Sequence, residues 1–296
     1  MRIGVMLGMS GSDGPGRVPT FDEVLAQALH AEDARLDSIW VCDHLLSHPS
    51  DDAPAEGILE AWTLLGALAA RTERVELGQL VTCVSFRNPA ILAKMATTVD
   101  EVSGGRVTLG LGAGWDDREY HAFGVPIDHR VDRFEEALQV IVPLLRGERV
   151  TIGGTYHRAD DLVLLPRPAR PIRTLIAADG PRMIRLTARH ADAWNTAWYG
   201  APSDALRAKL AEMDLALEAE GRDPASLRRT VGMNVVDPDR PGTNAVDPVA
   251  LAGTVEDLAR AFDAYEALGI DDLIVLPEPN DVPSVDRLAR ASALRG

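Results

Sequence analysis

The feature that most constrains this chain is an alternation. Short apolar runs and amphipathic stretches follow one another from end to end, with no linker or composition shift to start a second domain. The apolar runs read as buried strands over 3–7, Ser38–Val41, 75–82, 107–111, 174–177, 193–196, 230–236 and 272–276. Between them, helical spacing predicts helices opening at Thr20 and over 60–71, Pro89–Val102, Arg130–Leu145, Pro181–His190, 203–220, 254–268 and 282–294. Several starts carry their own mechanism. Thr20 with Glu23 forms a capping box, Pro89 suits a first helical turn, and Ser203 is a cap. Strict strand–helix alternation gives a parallel sheet, and eight such units in 296 residues have the size of a closed (β/α)8 barrel. A doubly wound open sheet is the structural alternative. The whole chain, 1–296, is expected to be one barrel domain. Segment 147–173 breaks the rhythm: 150–152 and 162–165 read as a hairpin with Gly153 and Gly154 near its turn, inserted between the fourth helix and the fifth strand.

Composition then removes whole classes. A net charge of −15 repels phosphate backbones and anionic lipid, so neither nucleic acid nor a membrane surface is an expected partner. Two cysteines make neither a disulfide scaffold nor a thiolate zinc site. The apolar run at the N-terminus is too short for a signal peptide, and no later run approaches the roughly 20 residues of a membrane span. A cytoplasmic protein acting on a small molecule is expected. His30, His48, His121, His129, His157 and His190 show no metal-ligand spacing, which leaves a barrel metallohydrolase without ligands. All thirty basic residues except Lys94 and Lys209 are arginine, so a single Arg says little about anion binding.

In such a barrel the site gathers at the C-terminal ends of the strands. That rule selects Ser10, then Cys42, Asp43 and His44, then Thr82, Cys83 and Val84. It also selects Ala113, Gly114 and Trp115, then Ala178, Asp179 and Gly180, and finally Trp194 and Asn195. Asp43 and His44 are a carboxylate beside an imidazole, a pair able to pass and steady a proton; the alternative is a helix-entry acid beside a surface histidine. Residues 110–114 read G-L-G-A-G, small enough for a flat or anionic ligand to approach the backbone, though not a dinucleotide fingerprint. Gly180 stands before a helix whose first N–H groups would suit a phosphate. Gly253 and Thr254 occupy the general barrel phosphate position, or form an ordinary cap. Cys42 and Cys83 are expected to be reduced and packed. Met9, Trp115, Phe123, Trp198 and Tyr199 suggest an aromatic, apolar mouth. The loops 8–16, 47–57, 116–129 and 237–253 would set substrate choice.

As a set, these strand ends resemble a known family. The segments W-V-C-D-H at 40–44, L-G-Q-L-V-T-C-V-S-F-R-N-P at 77–89 and L-A-K at 92–94 carry the resemblance. So do S-G-G-R at 103–106, G-L-G-A-G-W at 110–115, L-P-R-P at 165–168 and A-D-A-W-N at 191–195. Together they are similar to the luciferase-like monooxygenase superfamily, in particular its F420-dependent oxidoreductase branch. The resemblance implies a barrel with an insertion after the fourth helix and a hydride-carrying deazaflavin, coenzyme F420, at its mouth. It implies a non-proline cis peptide at the end of the third strand, here between Cys83 and Val84, within a Thr82, Cys83 and Val84 bulge behind the ring. Carried over, Asp43 contacts the cofactor edge and His44 gives or takes the proton. Ala113, Gly114, Ala178, Asp179 and Gly180 flank the cofactor phosphate, while Ser10, Trp115, Trp194 and Asn195 border the substrate. Arg87, Arg118 and Arg182 are candidates for the anionic cofactor tail. In sugar-phosphate dehydrogenases of the family an acid stands where this chain has Trp115, which argues against that substrate. A homodimer is expected. The rival readings are an FMN-dependent monooxygenase served by a separate flavin reductase, and an inactive barrel that only binds a cofactor.

Overall fold

The computed structural model describes residues 1–10, 17–47, 56–240 and 249–295. Its frame is eight parallel strands: β1 (Arg2–Met6), β2 (Ser38–Val41), β3 (Glu76–Gln79), β4 (Val107–Gly112), β5 (Arg173–Ala177), β6 (Ala193–Tyr199), β7 (Arg228–Val236) and β8 (Asp272–Glu278). Each pairs with the next, and β8 returns to β1 through Arg2↔Asp272 and Ile3↔Leu273. The sheet is therefore a closed barrel, and the open-sheet alternative is excluded. The helices are α1 (Phe21–Asp33), α2 (Ala61–Ala69), α3 (Pro89–Val102), α4 (Asp117–Ala122), α5 (Arg130–Leu145), α6 (Pro181–His190), α7 (Asp204–Ala219), α8 (Val255–Glu266) and α9 (Val282–Ala293). Among the described residues no helix is long and apolar enough to cross a membrane, and no cluster of His, Cys, Asp and Glu could hold a metal ion.

Local chemistry sets the helix starts. Thr20 and Glu23 make the expected capping box on α1, Asn88 caps α3 ahead of Pro89, and Ser203 caps α7. Residues such as Val5, Ile39, Leu77 and Leu109 on the outer barrel face pack with Phe134, Leu138, Leu258 and Phe262 of the helices in one apolar cluster. Inside, the barrel is layered. At the N-terminal strand ends Glu76 accepts from Arg2 (2.8 Å) and Arg173 (3.2 Å), while Asp272 pairs with Arg228 (2.6 Å). Above that ionic floor Met6, Trp40, Leu80, Leu175, Ala193 and Ile274 form an apolar layer. These layers fill the barrel from below, and the cavity that holds the strand-end residues lies at its C-terminal face.

Two sequence expectations shift here. The run 75–82 is not one strand. β3 ends at Gln79, the chain steps aside through a cis peptide between Leu80 and Val81, and Thr82–Cys83 then rejoins β4. Gly78 pairs with Thr108 but Thr82 with Leu111, so four residues on one side face three on the other, a bulge. The cis bond is therefore at Leu80–Val81 and not between Cys83 and Val84; after Cys83 the chain already turns into the short 3-10 helix Val84–Phe86. The insertion hairpin pairs Val150–Gly153 with Arg158–Leu162, earlier than the apolar 162–165 run. Glu136 of α5 fixes its turn by accepting the N–H groups of Thr155 (2.9 Å), Tyr156 (2.8 Å) and His157 (3.0 Å).

Gly110 and Gly112 make room for this bulge. A Cβ on Gly110 would stand 1.8 Å from the Gln79 carbonyl oxygen, and that neighbour is backbone. Gly110→Ala is therefore expected to cost about 1–3 kcal/mol of stability through overpacking. Chemical denaturation checks it, and an unchanged midpoint would refute the close-approach argument.

Candidate active site

A cavity of about 740 Å³ occupies the C-terminal mouth of the barrel. Of the residues selected from sequence, Ser10, Asp43, His44, Cys83, Gly114, Trp115 and Asn195 line it. Met9 and Trp198 line it too, but Phe123 and Tyr199 are not part of its wall. Parts of the loops 8–16, 47–57 and 237–253, His48 among them, lie outside the described residues.

His44 stands three residues past the end of β2. Its Nδ1 lies 2.9 Å from Glu119 Oε2, a residue of α4 that is only 3% exposed. The other carboxylate oxygen of Glu119 accepts the N–H groups of Leu45 and of Leu46 (3.0 Å). Burial works against a charged imidazole here, but the Glu119 hydrogen bond and charge outweigh it, with Asp116 and Asp43 adding to the effect. The imidazole is accordingly held above its ordinary value near 6.5. Burial likewise opposes the charge on Glu119, yet His44 and the Leu46 and Leu45 N–H groups pull its carboxyl below the usual range. With Nδ1 engaged, Nε2 is the nitrogen left to serve the cavity. The Trp115 indole stands edge-on to the His44 ring, 5.5 Å between centroids at 77°.

Asp43 is bound differently. Arg87 forks onto both its oxygens (2.6 and 2.8 Å), and the Cys83 N–H adds a third bond (2.9 Å). Burial pushes the Asp43 carboxyl up, and Arg87 with the Cys83 N–H opposes it. Arginine keeps its proton, so the pair is ionic and ties the end of β2 to the segment after the bulge. Arg87 also reaches Glu60, the α2 cap (2.7 Å). Arg87 is thus committed to carboxylates. Arg118 is held by Asp116 (2.8 Å), and Arg182 by Asp132 and Glu135 (both 2.6 Å).

Several selected residues lie behind the wall. Trp194 is fully buried, with its Nε1 donating to the Ala178 carbonyl (2.9 Å), so it supports the core and does not border the cavity. Thr82 bonds Gln79, and Val84 joins the outer apolar cluster. The Ala113 carbonyl accepts from Tyr120 (2.7 Å), and that hydroxyl also meets the Cys83 thiol at 3.2 Å. Gly114 has φ +79 and its missing Cβ makes room for the Tyr120 hydroxyl. Burial lifts the thiols of Cys42 and Cys83 to about 11, so both stay protonated. Asp179 is exposed and pairs with Lys209 (3.2 Å). Gly180 caps α6 with no side-chain bond, and open space surrounds it. By contrast, the N-terminus of α8 is closed by its own capping box, with Asp257 accepting from the Thr254 N–H (2.7 Å).

Sequence reasoning missed Glu119 and Asn280. Glu119 lies in a six-residue helix with no apolar periodicity to betray it. A carboxylate four residues past Trp115 was the available signal. Asn280 donates Nδ2 to the Met6 carbonyl (3.1 Å), and its Oδ1 is buried without a donor on the cavity lining.

The arrangement offers one proton-handling nitrogen at the edge of a deep apolar chamber. The apolar lining, the donor-less Oδ1 of Asn280 and the open, uncapped start of α6 fit a flat heteroaromatic ring with an anionic extension.

Comparison with known proteins gives the family and the fold. A family model described as luciferase-like monooxygenase matches residues 1–241. An F420-dependent glucose-6-phosphate dehydrogenase of Beutenbergia cavernae is 35% identical over 90% of this chain and 78% of its own. An F420-dependent hydroxymycolic acid dehydrogenase of Mycobacterium tuberculosis is 34% identical over 76% of this chain and 62% of its own. Among solved structures, an F420-dependent secondary alcohol dehydrogenase in complex with an F420-acetone adduct superposes with a TM-score of 0.81. It covers 100% of this chain and 99% of its own at 22% identity, a likeness of fold.

Proposed function

This chain belongs to the luciferase-like monooxygenase family, and from that premise we propose that it is an F420-dependent oxidoreductase in which His44 handles the substrate proton. The observation that carries the reading is the His44–Glu119 pair at the cavity mouth, with Nε2 left for a substrate heteroatom. When bound, the deazaflavin supplies a ring carbon that accepts or donates a hydride. The chain's own residues do the rest. Leu80 and Val81 give the ring a dry apolar surface, and the open start of α6 at Gly180 receives the anionic end through its backbone N–H groups. Asp43 keeps the Cys83 N–H and Arg87 in place beneath the site. Glu119 fixes the tautomer of His44 and raises its basicity. Trp115 shields the imidazole from one side.

Titration with oxidised F420 and, separately, with FMN, read by tryptophan quenching, tests the cofactor. Saturable micromolar binding of F420 with much weaker FMN is expected. Preference for FMN would turn the reading toward a monooxygenase served by a flavin reductase, and binding of neither would overturn the cofactor assignment.

The role of Glu119 has its own signature. In the oxidising direction His44 must begin neutral, so the rate rises with pH through the raised imidazole value. Glu119→Gln removes the charge that raises it, so the rising limb moves to lower pH. A limb that stays in place would show that Glu119 only anchors Leu45 and Leu46.

A further inference from the structure

Resting on the F420 reading above, we propose that Asn280 selects the substrate: its Oδ1 accepts an O–H or N–H from a second polar group that the substrate carries apart from the atom served by His44. Asn280 stands two residues past the end of β8 and is only 8% exposed. Its surroundings hold it in one orientation. Nδ2 donates to the Met6 carbonyl at the end of β1 (3.1 Å), and the main-chain carbonyl accepts from Gln27 Nε2 (3.0 Å). Gln27, buried on α1, in turn accepts the Gly8 N–H through its Oε1 (3.0 Å). A Cβ on Gly8 would stand 3.0 Å from the Asn280 carbonyl oxygen, so the two segments are closely packed.

The Met6 bond decides which way the side-chain amide points. Turning it over would set Oδ1 against the Met6 carbonyl, acceptor against acceptor. Oδ1 is therefore the atom left over, buried and without a donor, on a residue that lines the cavity. A buried acceptor left unpaired costs free energy, and nearly all such groups in folded proteins find a partner. The cavity wall has no Lys or Arg among the described residues to provide one. A ligand O–H or N–H removes the penalty; a ligand that presents carbon or another acceptor there does not. Glu278, from the same segment, also lies on the wall, so this side favours donors over anions.

The position round the barrel separates substrate from cofactor. In the F420 reading the ring rests against Leu80 and Val81 after β3, and its anionic end meets the start of α6 after β5. β8 is separated from β3 by β1 and β2, and from β5 by β7 and β6. Asn280 is thus across the mouth from the bed of the cofactor, with His44, after β2, between them. A substrate that reaches both residues presents its reacting heteroatom to His44 and its second group to Asn280.

The test is binding, read by ligand-observed NMR on the full chain with and without F420. The probes are two matched pairs, benzyl alcohol with benzyl methyl ether and N-methylbenzamide with N,N-dimethylbenzamide. In each pair the first member has the donor and the second lacks it. The donor member of at least one pair is expected to bind about 5- to 100-fold more tightly than its partner, the range set by an unpaired buried acceptor. The pair that shows it tells a hydroxyl from an N–H. His44 can also take a donor, so the variants carry the decision. Asn280→Leu is expected to reduce the ratio at least about fivefold, and Asn280→Asp, which keeps an oxygen there, to preserve it. Mere loosening of this corner would weaken both members alike and leave the ratio unchanged. Ratios near one in the unaltered protein would show that solvent alone serves Oδ1. A ratio untouched by Asn280→Leu, or lost as fully in Asn280→Asp, would show that the oxygen is not the reader. Each of these overturns the proposal. So does an F420 affinity that falls in Asn280→Leu while the probe ratios hold, which would give the donor to the cofactor. F420 binding is scored separately by tryptophan quenching. An Asn280-dependent ratio without F420 binding would sink the cofactor reading and leave the donor site standing; F420 binding with ratios independent of Asn280 would do the opposite.

Discussion

Replacing His44 by alanine lowers kcat by about 10²–10⁴-fold, the usual contribution of a positioned general acid or base. The size follows from the wall. His44 carries the only imidazole on this cavity among the described residues, while the carboxylates of Asp43 and Glu119 are already engaged in hydrogen bonds. F420 affinity should change far less, because the ring rests on apolar surface from other strands. The measurement is the rate of deazaflavin reduction at saturating substrate, with the F420 dissociation constant taken in parallel. A variant that keeps more than a tenth of the rate would remove His44 from the chemistry.

The second large effect concerns stability. Arg87→Met is expected to cost about 3–5 kcal/mol at neutral pH, the usual penalty for stripping one partner from a buried ion pair. Asp43 is 1% exposed and would keep only the Cys83 N–H. The sign with pH is fixed by linkage. With Arg87 gone, burial holds the Asp43 carboxyl above its unfolded value, so the folded variant takes up a proton first as pH falls. The deficit against the unaltered protein should therefore shrink on acidification. Urea melts at several pH values check both halves, and a deficit independent of pH would show that lost packing of the Arg87 stem dominates.

Much of the architecture was legible because the periodic signals are strong. Pro89–Val102, Arg130–Leu145 and Pro181–His190 fall where the spacing placed them, since each has a clear apolar stripe and the first and third also open on a proline. The bulge was not legible. Leu80 and Val81 are as apolar as a buried strand, and the cue lay instead in Gly110 on the neighbouring strand, which takes in the Gln79 carbonyl. The hairpin strand Arg158–Leu162 is polar and half-exposed, so an apolar reading slid onto the run that follows it. At the site, the strand-end rule found Asp43 and His44 but could not tell their environments apart. That difference comes from Arg87 and Glu119, forty-four and seventy-five residues away. Trp194 was misplaced for a related reason: a strand-end position does not say which side of the sheet an indole faces.

The double engagement of Glu119 links two properties that evolution would find useful to vary separately. One oxygen sets the basicity of His44, and the other anchors the N–H groups of Leu45 and Leu46, where the chain leaves β2 for the rim. Remodelling that rim for a differently shaped substrate moves the anchor, and with it the acidity of the residue that handles the proton. Transplanting the 45–47 segment from a relative would therefore carry over a working pH range along with a specificity. Selection for new substrates on this scaffold is steered toward the opposite wall, around Trp198 of β6, where shape can change without altering the acid–base group.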